Sequence, residues 1–167
     1  LMVRYKSRVD QSLQEVFTQT IPYRMKKFLI PPDIKKKLQK QLRIKKVLPD
    51  TLILGEINYN GSRYYLIVDE APSKTKSFLY ALYLTGEGKV FNVDVLIYRE
   101  NYGYEIDHPA FRKQFQGKTK AREIIFGRNI QNITGATISA RSLTYAVQDW
   151  LKIFAWLKPQ LQNGEEN

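Results

Sequence analysis

Two reverse-turn signals in the middle of the chain restrict its fold more than any other feature. Asn60-Gly61 stands between the β-rich runs Leu52 to Tyr59 and Arg63 to Val68, and Gly86-Glu87-Gly88 stands between Ser77 to Thr85 and Lys89 to Tyr98. Asn-Gly supplies the positive φ angles of a two-residue type I′ turn, so the first pair reads as a tight hairpin, and the glycine-flanked turn makes a second. Four strands joined this way run antiparallel, with no βαβ alternation to build a parallel doubly wound sheet. In the last run Phe91, Val93, Val95 and Ile97 alternate with Asn92, Asp94 and Leu96, which predicts one buried face and one partly wet face.

Helices flank these strands. Val9, Leu13, Val16, Phe17 and Ile21 recur at helical spacing, predicting a helix over residues 9 to 20 that Pro22 stops. A second helix is expected from Pro32 or Asp33 to Arg43, with a thin stripe of Ile34, Leu38 and Leu42 among Lys35, Lys36, Lys37 and Lys40. Pro109 to Phe115 predicts a short helix, and Ile124-Ile125 a short strand within the connecting segment 117 to 131. The best helical pattern runs from Ser139 to Leu157 through Leu143, Ala146, Val147, Trp150, Leu151 and Phe154, and Pro159 is expected to end it. The expected fold is α+β: an antiparallel sheet of four to five strands, the C-terminal helix packed on it and the N-terminal helices outside. Residues 1–50 then form a basic helical segment, 51–159 the main domain and 160–167 a polar tail.

Composition narrows the chemistry. The 167 residues contain no Cys and one His, which removes disulfides, iron–sulfur clusters, thiol nucleophiles and histidine-rich metal sites. His108, between Asp107 and Pro109, reads as a residue that starts a helix. The net charge of +11 is uneven, because residues 1–50 hold thirteen Lys and Arg against four Asp and Glu. This cluster reads as a solvated helix face, or as a surface for anionic lipid or an acidic redox partner. No recognised nucleic-acid-reading motif accompanies it, so no nucleic acid is expected as a partner. No stretch reaches the ~20 apolar residues of a membrane-spanning helix. The chain begins at Leu1 rather than Met, which leaves room for a removed leader or anchor, so a missing targeting signal does not argue for the cytoplasm.

The segment with most chemical content is Asn132-Ile133-Thr134-Gly135-Ala136-Thr137-Ile138-Ser139, directly before the best helix. Free N–H groups and the helix dipole favour an anion there, Thr134, Thr137 and Ser139 offer hydroxyls, and Gly135 and Ala136 let a ligand approach the backbone. The same residues also read as ordinary N-caps, with Thr137 or Ser139 capping and no ligand.

Thr134 to Ser139 resembles the Ser/Thr-Gly-Ala-Thr-x-Ser/Thr signature of the FMN-binding domain family, whose members include flavin-carrying subunits of Rnf and sodium-pumping NADH:quinone oxidoreductase complexes and NosR-type regulators. Tyr98 to Ile106 resembles the family's Arg/His-x-Glu-x-x-Gly element, and Gln114-Phe115-Gln116-Gly117-Lys118 its Phe-x-Gly-Lys element, in the same order and spacing over residues 89 to 150. The resemblance implies an FMN cofactor whose phosphate is esterified to Thr137 by a flavin transferase. It further implies cofactor contacts from Thr134, Gly135, Ala136, Ile138, Ser139, Glu100, Asn101 and Tyr102. Tyr102 and Tyr104 are candidates for ring stacking, and Lys118 or Arg128 for the phosphate. The chain departs from the pattern at Gln131, where the transferase's target usually has Asp, so non-covalent FMN stays open beside the ester.

The function expected from this resemblance is electron transfer by a redox carrier or subunit, outside the cytoplasm or at a membrane, between donor and acceptor proteins. The alternatives are a flavin-binding sensory module of a membrane system, and a basic nucleic-acid-binding domain.

Overall fold

In the computed structural model, residues 1–163 are described. Helix α1 (Lys6–Phe17) leads to strand β1 (Arg24–Leu29) and helix α2 (Pro32–Gln41). The strands β2 (Thr51–Tyr59), β3 (Ser62–Pro72), β4 (Ser77–Thr85) and β5 (Val90–Ile97) follow, and then the short helix α3 (Pro109–Arg112) and the long helix α4 (Thr137–Asn163). The five strands form one antiparallel sheet in the order β1-β2-β3-β4-β5. Asn60 (φ 50°) and Gly61 (φ 77°) both adopt positive φ, as a type I′ turn requires. The fifth strand comes from the basic N-terminal segment, where Arg24 to Leu29 pairs with Glu56 to Thr51. Its Met-Lys-Lys-Phe run lacks the alternation that marks a strand, and the edge of β2 imposes the conformation.

The partly wet face expected for β5 is observed at Asn92 and Asp94, which are half-buried, but not at Leu96, which is buried. Phe78 to Leu84 of β4 are all buried, because both faces of the sheet are covered. On one face α4 packs Leu143, Val147, Trp150 and Phe154 against Tyr65, Tyr80, Leu82 and Val93. On the other, α1 packs Val9, Leu13 and Phe17 against Leu66, Leu79, Tyr83 and Leu96. Ser12 locks α1 in place, its hydroxyl 2.8 Å from the Tyr83 hydroxyl and donating to Asp94 at 2.6 Å. Two register shifts along β5 break the expected alternation and turn Phe91 and Leu96 toward the α1 side while Val93 and Val95 face α4.

Other boundaries move for identifiable reasons. α1 ends three residues before the expected limit because Thr18 turns left-handed at φ 58°. Ile124 is buried in a loop rather than a strand, with a 3₁₀ turn over Ala121–Glu123 before it. Pro159 does not end α4: the helix runs to Asn163 with Leu157 and Leu161 both buried, so core packing outweighs the lost backbone bond. Residues 160–163 are therefore helical, and the rest of the expected polar tail lies outside the described residues. α2 carries Leu38 into the core and leaves Lys36, Lys37 and Lys40 exposed. Among the described residues no helix is long and apolar enough to cross a membrane.

Candidate functional site

α4 begins two residues earlier than the periodicity suggested, and the shift makes Thr137 its first residue. Gly135 turns the chain into the helix at φ +91°. The first bond of the helical ladder runs from the Ala140 N–H to the Ala136 carbonyl at 2.8 Å. The N–H groups of Thr137, Ile138 and Ser139 precede it and point out of the helix end, where the dipole is positive. The Thr137 hydroxyl oxygen accepts from the Asn132 side-chain amide at 2.9 Å. Ser139 is buried, and its hydroxyl lies 2.8 Å from that of Tyr98, which joins the start of α4 to the end of β5.

The segment after β5 closes over this helix end. A cavity of about 460 Å³ opens between them, lined on one side by Glu100, Asn101, Tyr102 and Gly103 and on the other by Gly135 to Ser139. That volume falls within the ordinary range for a small-molecule or cofactor site. Two glycines make the approach possible. A Cβ on Gly103 (φ +93°) would fall 2.5 Å from the Tyr98 hydroxyl, and one on Gly135 would fall 2.9 Å from the Glu105 carboxylate. Tyr102 leaves 86% of its surface exposed, and Ile138 is about half exposed, so the rim presents apolar surface without a protein partner.

The structure thus brings together Glu100, Asn101, Tyr102, Gly135, Ala136, Thr137, Ile138 and Ser139 from segments more than thirty residues apart. Thr134 is exposed at the turn before them. Lys118 is not among the lining residues. Its carbonyl accepts from Val90 N–H at the start of β5, whereas the cavity lies beyond the far end of that strand, roughly 25 Å away for eight extended residues. Arg128 does not line it either, and Tyr104 packs on Tyr98 with the rings tilted by 55° and their centroids 5.6 Å apart. His108 caps α3 by accepting the Ala110 N–H at 3.1 Å.

Glu100 holds protein rather than open space. Its carboxylate accepts from Ser73 Oγ at 2.8 Å, Thr75 N–H at 2.6 Å and Lys76 N–H at 2.9 Å. The Thr75 N–H bond, followed by the Ser73 hydroxyl, pulls the carboxyl down to about 2. Sequence reasoning missed Lys74 and Tyr98 as lining residues. Tyr98 was signalled by its place at the end of a predicted strand, whereas nothing local marks Lys74, which the β3–β4 hairpin delivers.

A larger cavity of about 590 Å³, lined by Met25, Val47, Ile53 and Trp150 among others, contains none of the motif residues. Among the described residues no cluster of His, Cys, Asp or Glu could hold a metal. Hydroxyls and free N–H groups suit a phosphate, and exposed aromatic and aliphatic surface beside them suits a flat ring system. The residues present therefore fit a nucleotide-type cofactor.

A cavity of that kind, beside an antiparallel sheet flanked by helices, defines a cofactor-carrying α+β domain. Residues 77–152 match the model of the FMN-binding domain family, and the match supports FMN as the cofactor. The fold is similar to that of a crystallised component of the Na(+)-translocating NADH-quinone reductase from Parabacteroides distasonis, at a TM-score of 0.61 and 11% identity over 92% of each chain. The sequence comparison with curated proteins finds no match.

Proposed function

We propose that the protein is an electron-transfer flavoprotein domain that carries one FMN in the cavity between the 98–103 segment and the start of α4, with the phosphate esterified to Thr137. The observation that carries the reading is the exposed Thr137 hydroxyl at the helix end, inside a cavity that also contains the Glu100 to Gly103 element. FMN supplies transfer of electrons singly or in pairs when bound. The chain's part is to hold and tune it. The free N–H groups of Thr137, Ile138 and Ser139 stabilise phosphate charge, and the exposed Tyr102 ring offers a flat apolar surface.

Gln131 replaces the acid of the usual attachment pattern and has a structural task. Its side-chain amide donates to the Arg128 carbonyl at 3.0 Å, and its backbone exchanges two bonds with the Gln114 side chain. The polar hold on Thr137 comes instead from Asn132, which donates to the hydroxyl oxygen and leaves the hydroxyl's own proton free to depart when the ester forms.

Production in a host with a flavin transferase tests this. The protein is expected to be yellow and to gain the mass of FMN less one water, and Thr137→Ala is expected to remove that gain. Colour lost on denaturation without the mass gain would defeat the ester and leave FMN held non-covalently. Colourless protein that resists FMN titration would defeat the whole reading. The proposal extends to an extracytoplasmic or membrane-associated location, to donor and acceptor proteins as partners, and to the flavin transferase. The similarity to a component of an NADH-quinone reductase supports redox partners of this kind. Rapid reduction and reoxidation by membrane fractions is the expected behaviour of a carrier, whereas slow exchange with every donor and acceptor would favour a sensory module. The basic residues of the N-terminal segment are the proposed contact with an anionic membrane surface.

A further inference from the structure

The β3–β4 hairpin contributes to the cavity a side chain that lies outside the family-matched segment. Ser73 to Lys76 form a four-residue turn, closed by a bond from Ser73 N–H to the Lys76 carbonyl at 2.9 Å. Glu100, from the other side of the cavity, accepts from Ser73 Oγ, from Thr75 and Lys76 N–H, and from Thr75 Oγ1 at 2.9 Å through its second oxygen. Lys74 is therefore flanked on both sides by residues tied to one carboxylate. It is the only basic residue among those lining the cavity.

The neighbouring cations are committed elsewhere. Lys76 donates to the Arg99 carbonyl at 3.2 Å, and Arg99 donates to the Ser77 carbonyl and the Tyr5 hydroxyl. Lys74 is exposed and has no hydrogen bond or ion pair among the described residues. A charged side chain flanked by five hydrogen bonds to Glu100, yet bonded to nothing itself, is placed for something the protein alone does not contain. In the reading above, the free N–H groups at the start of α4 serve the phosphate. What remains is the charge that the ring system acquires: uptake of two electrons and one proton, supplied by a reductant and by solvent, leaves a flavin ring with one added negative charge.

We infer that Lys74 is the electropositive residue of the flavin site, stabilising the negative charge gained on reduction, and that Glu100 is a positioning residue acting through the 73–76 turn. This rests on FMN occupying the cavity, as proposed above. Because the Glu100 carboxyl is held at about 2, the clamp stays charged at every physiological pH.

The test is a spectroelectrochemical titration of the FMN-loaded protein, with dithionite as reductant, on wild type and on Lys74→Met, Lys74→Arg, Glu100→Ala and the Lys74→Met/Glu100→Ala double variant. Lys74→Met is expected to lower the ratio of reduced to oxidised flavin at fixed poise on the order of tenfold, about 30 mV for a two-electron couple. Lys74→Arg is expected to keep the wild-type value. Removing Glu100 deletes a negative charge and, on its own, raises the potential. With Lys74 present that rise is expected to be smaller or reversed, because the lysine loses its anchor, whereas in the Met background the full rise appears. A merely structural Glu100 would lower the melting temperature and leave the two rises equal, so equal rises overturn the positioning role. An unchanged potential in Lys74→Met overturns the inference while leaving FMN binding intact. A wild-type protein that takes up no FMN overturns both readings.

Discussion

The start and the middle of α4 use polar side chains in opposite ways. At the start, the Thr137 hydroxyl is exposed and, among the described residues, hydrogen-bonded only to Asn132, and the N–H groups of the first turn precede the helical ladder. Three turns further along, every polar contact is internal. The Trp150 indole N–H donates to the Tyr80 hydroxyl at 2.9 Å and lies 3.1 Å from Asp69 Oδ2. Lys46 pairs with that same carboxylate and stands 4.4 Å over the Trp150 ring. Asp149, 2% exposed, accepts the Lys45 and Lys46 N–H groups at 3.0 Å each, tying the segment after α2 to the helix. Burial pushes the Tyr80 hydroxyl well above its usual range. Buried polar groups mostly find protein partners because water does not reach them, the second Asp149 oxygen being an exception, while exposed ones are free to meet a ligand. One helix thus carries stability in its middle and binding capacity at its end.

The sharpest way to break this comparison is Trp150→Ala. Removing a nearly buried indole takes the donor from Tyr80 and one of several donors from Asp69, and the expected loss is about 3–5 kcal/mol in urea unfolding. Trp150→Phe keeps most of the volume and should cost roughly 1–3 kcal/mol, the value of the unpaired polar groups. A Trp150→Ala loss below about 1 kcal/mol would show that the buried cluster is not where the stability resides.

Gly103→Ala comes next, at about 2 kcal/mol. The positive φ alone costs roughly 1–2 kcal/mol for an L-residue, and the Cβ would press on the Tyr98 hydroxyl. FMN affinity should fall with it, measured by fluorescence titration, because the loop on one side of the cavity must move. Thr137→Ala is expected to change unfolding free energy by no more than about 0.5 kcal/mol, as for an exposed substitution away from packing, while abolishing the flavin ester in mass spectrometry. A marked loss of stability in this variant would make Thr137 a structural cap and erase the contrast with Trp150.

The smallest expected effect is one of pH. Glu100 has a depressed carboxyl in the folded state, so its contribution is present above the ordinary carboxylate value of 4.5 and is lost as pH falls toward about 2. Amide exchange at Thr75 and Lys76 should therefore accelerate, beyond its intrinsic pH trend, between these limits. Glu100→Gln should show the faster exchange already at pH 7.

Local signals identified much of this arrangement. The type I′ turn at Asn60-Gly61 and the glycine-flanked turn at 86 to 88 set the hairpins, because few residues adopt positive φ. The helical period from Leu143 to Phe154 identified α4, because apolar residues three and four apart share a face. Pro159 misled, since the rule that proline ends helices is local and the burial of Leu157 and Leu161 is not. β1 was illegible because its partner strand, not its own pattern, makes it a strand.

In the site the division is similar. Thr137 and its neighbours could be read directly as a candidate site, since the free N–H groups and hydroxyls of a helix end come from consecutive residues. Lys118 was assigned from motif order alone, and the geometry sends it to the other end of β5. Lys74 and the engagement of Glu100 with the 73–76 turn had no local mark, because the hairpin and the strand end meet only when the sheet is assembled.

By itself, then, the sequence narrowed the class of chemistry and marked a candidate anchor. With no Cys and one His it excluded thiol chemistry and histidine-rich metal sites, and it set a small-residue turn with exposed hydroxyls before a helix. Only the tertiary structure decided which charges accompany that anchor, because charge placement depends on which distant turns the strands bring to the same end of the sheet. It put an unpaired Lys74 beside the cavity, turned Glu100 toward its own hairpin and withdrew Lys118 from the cavity altogether.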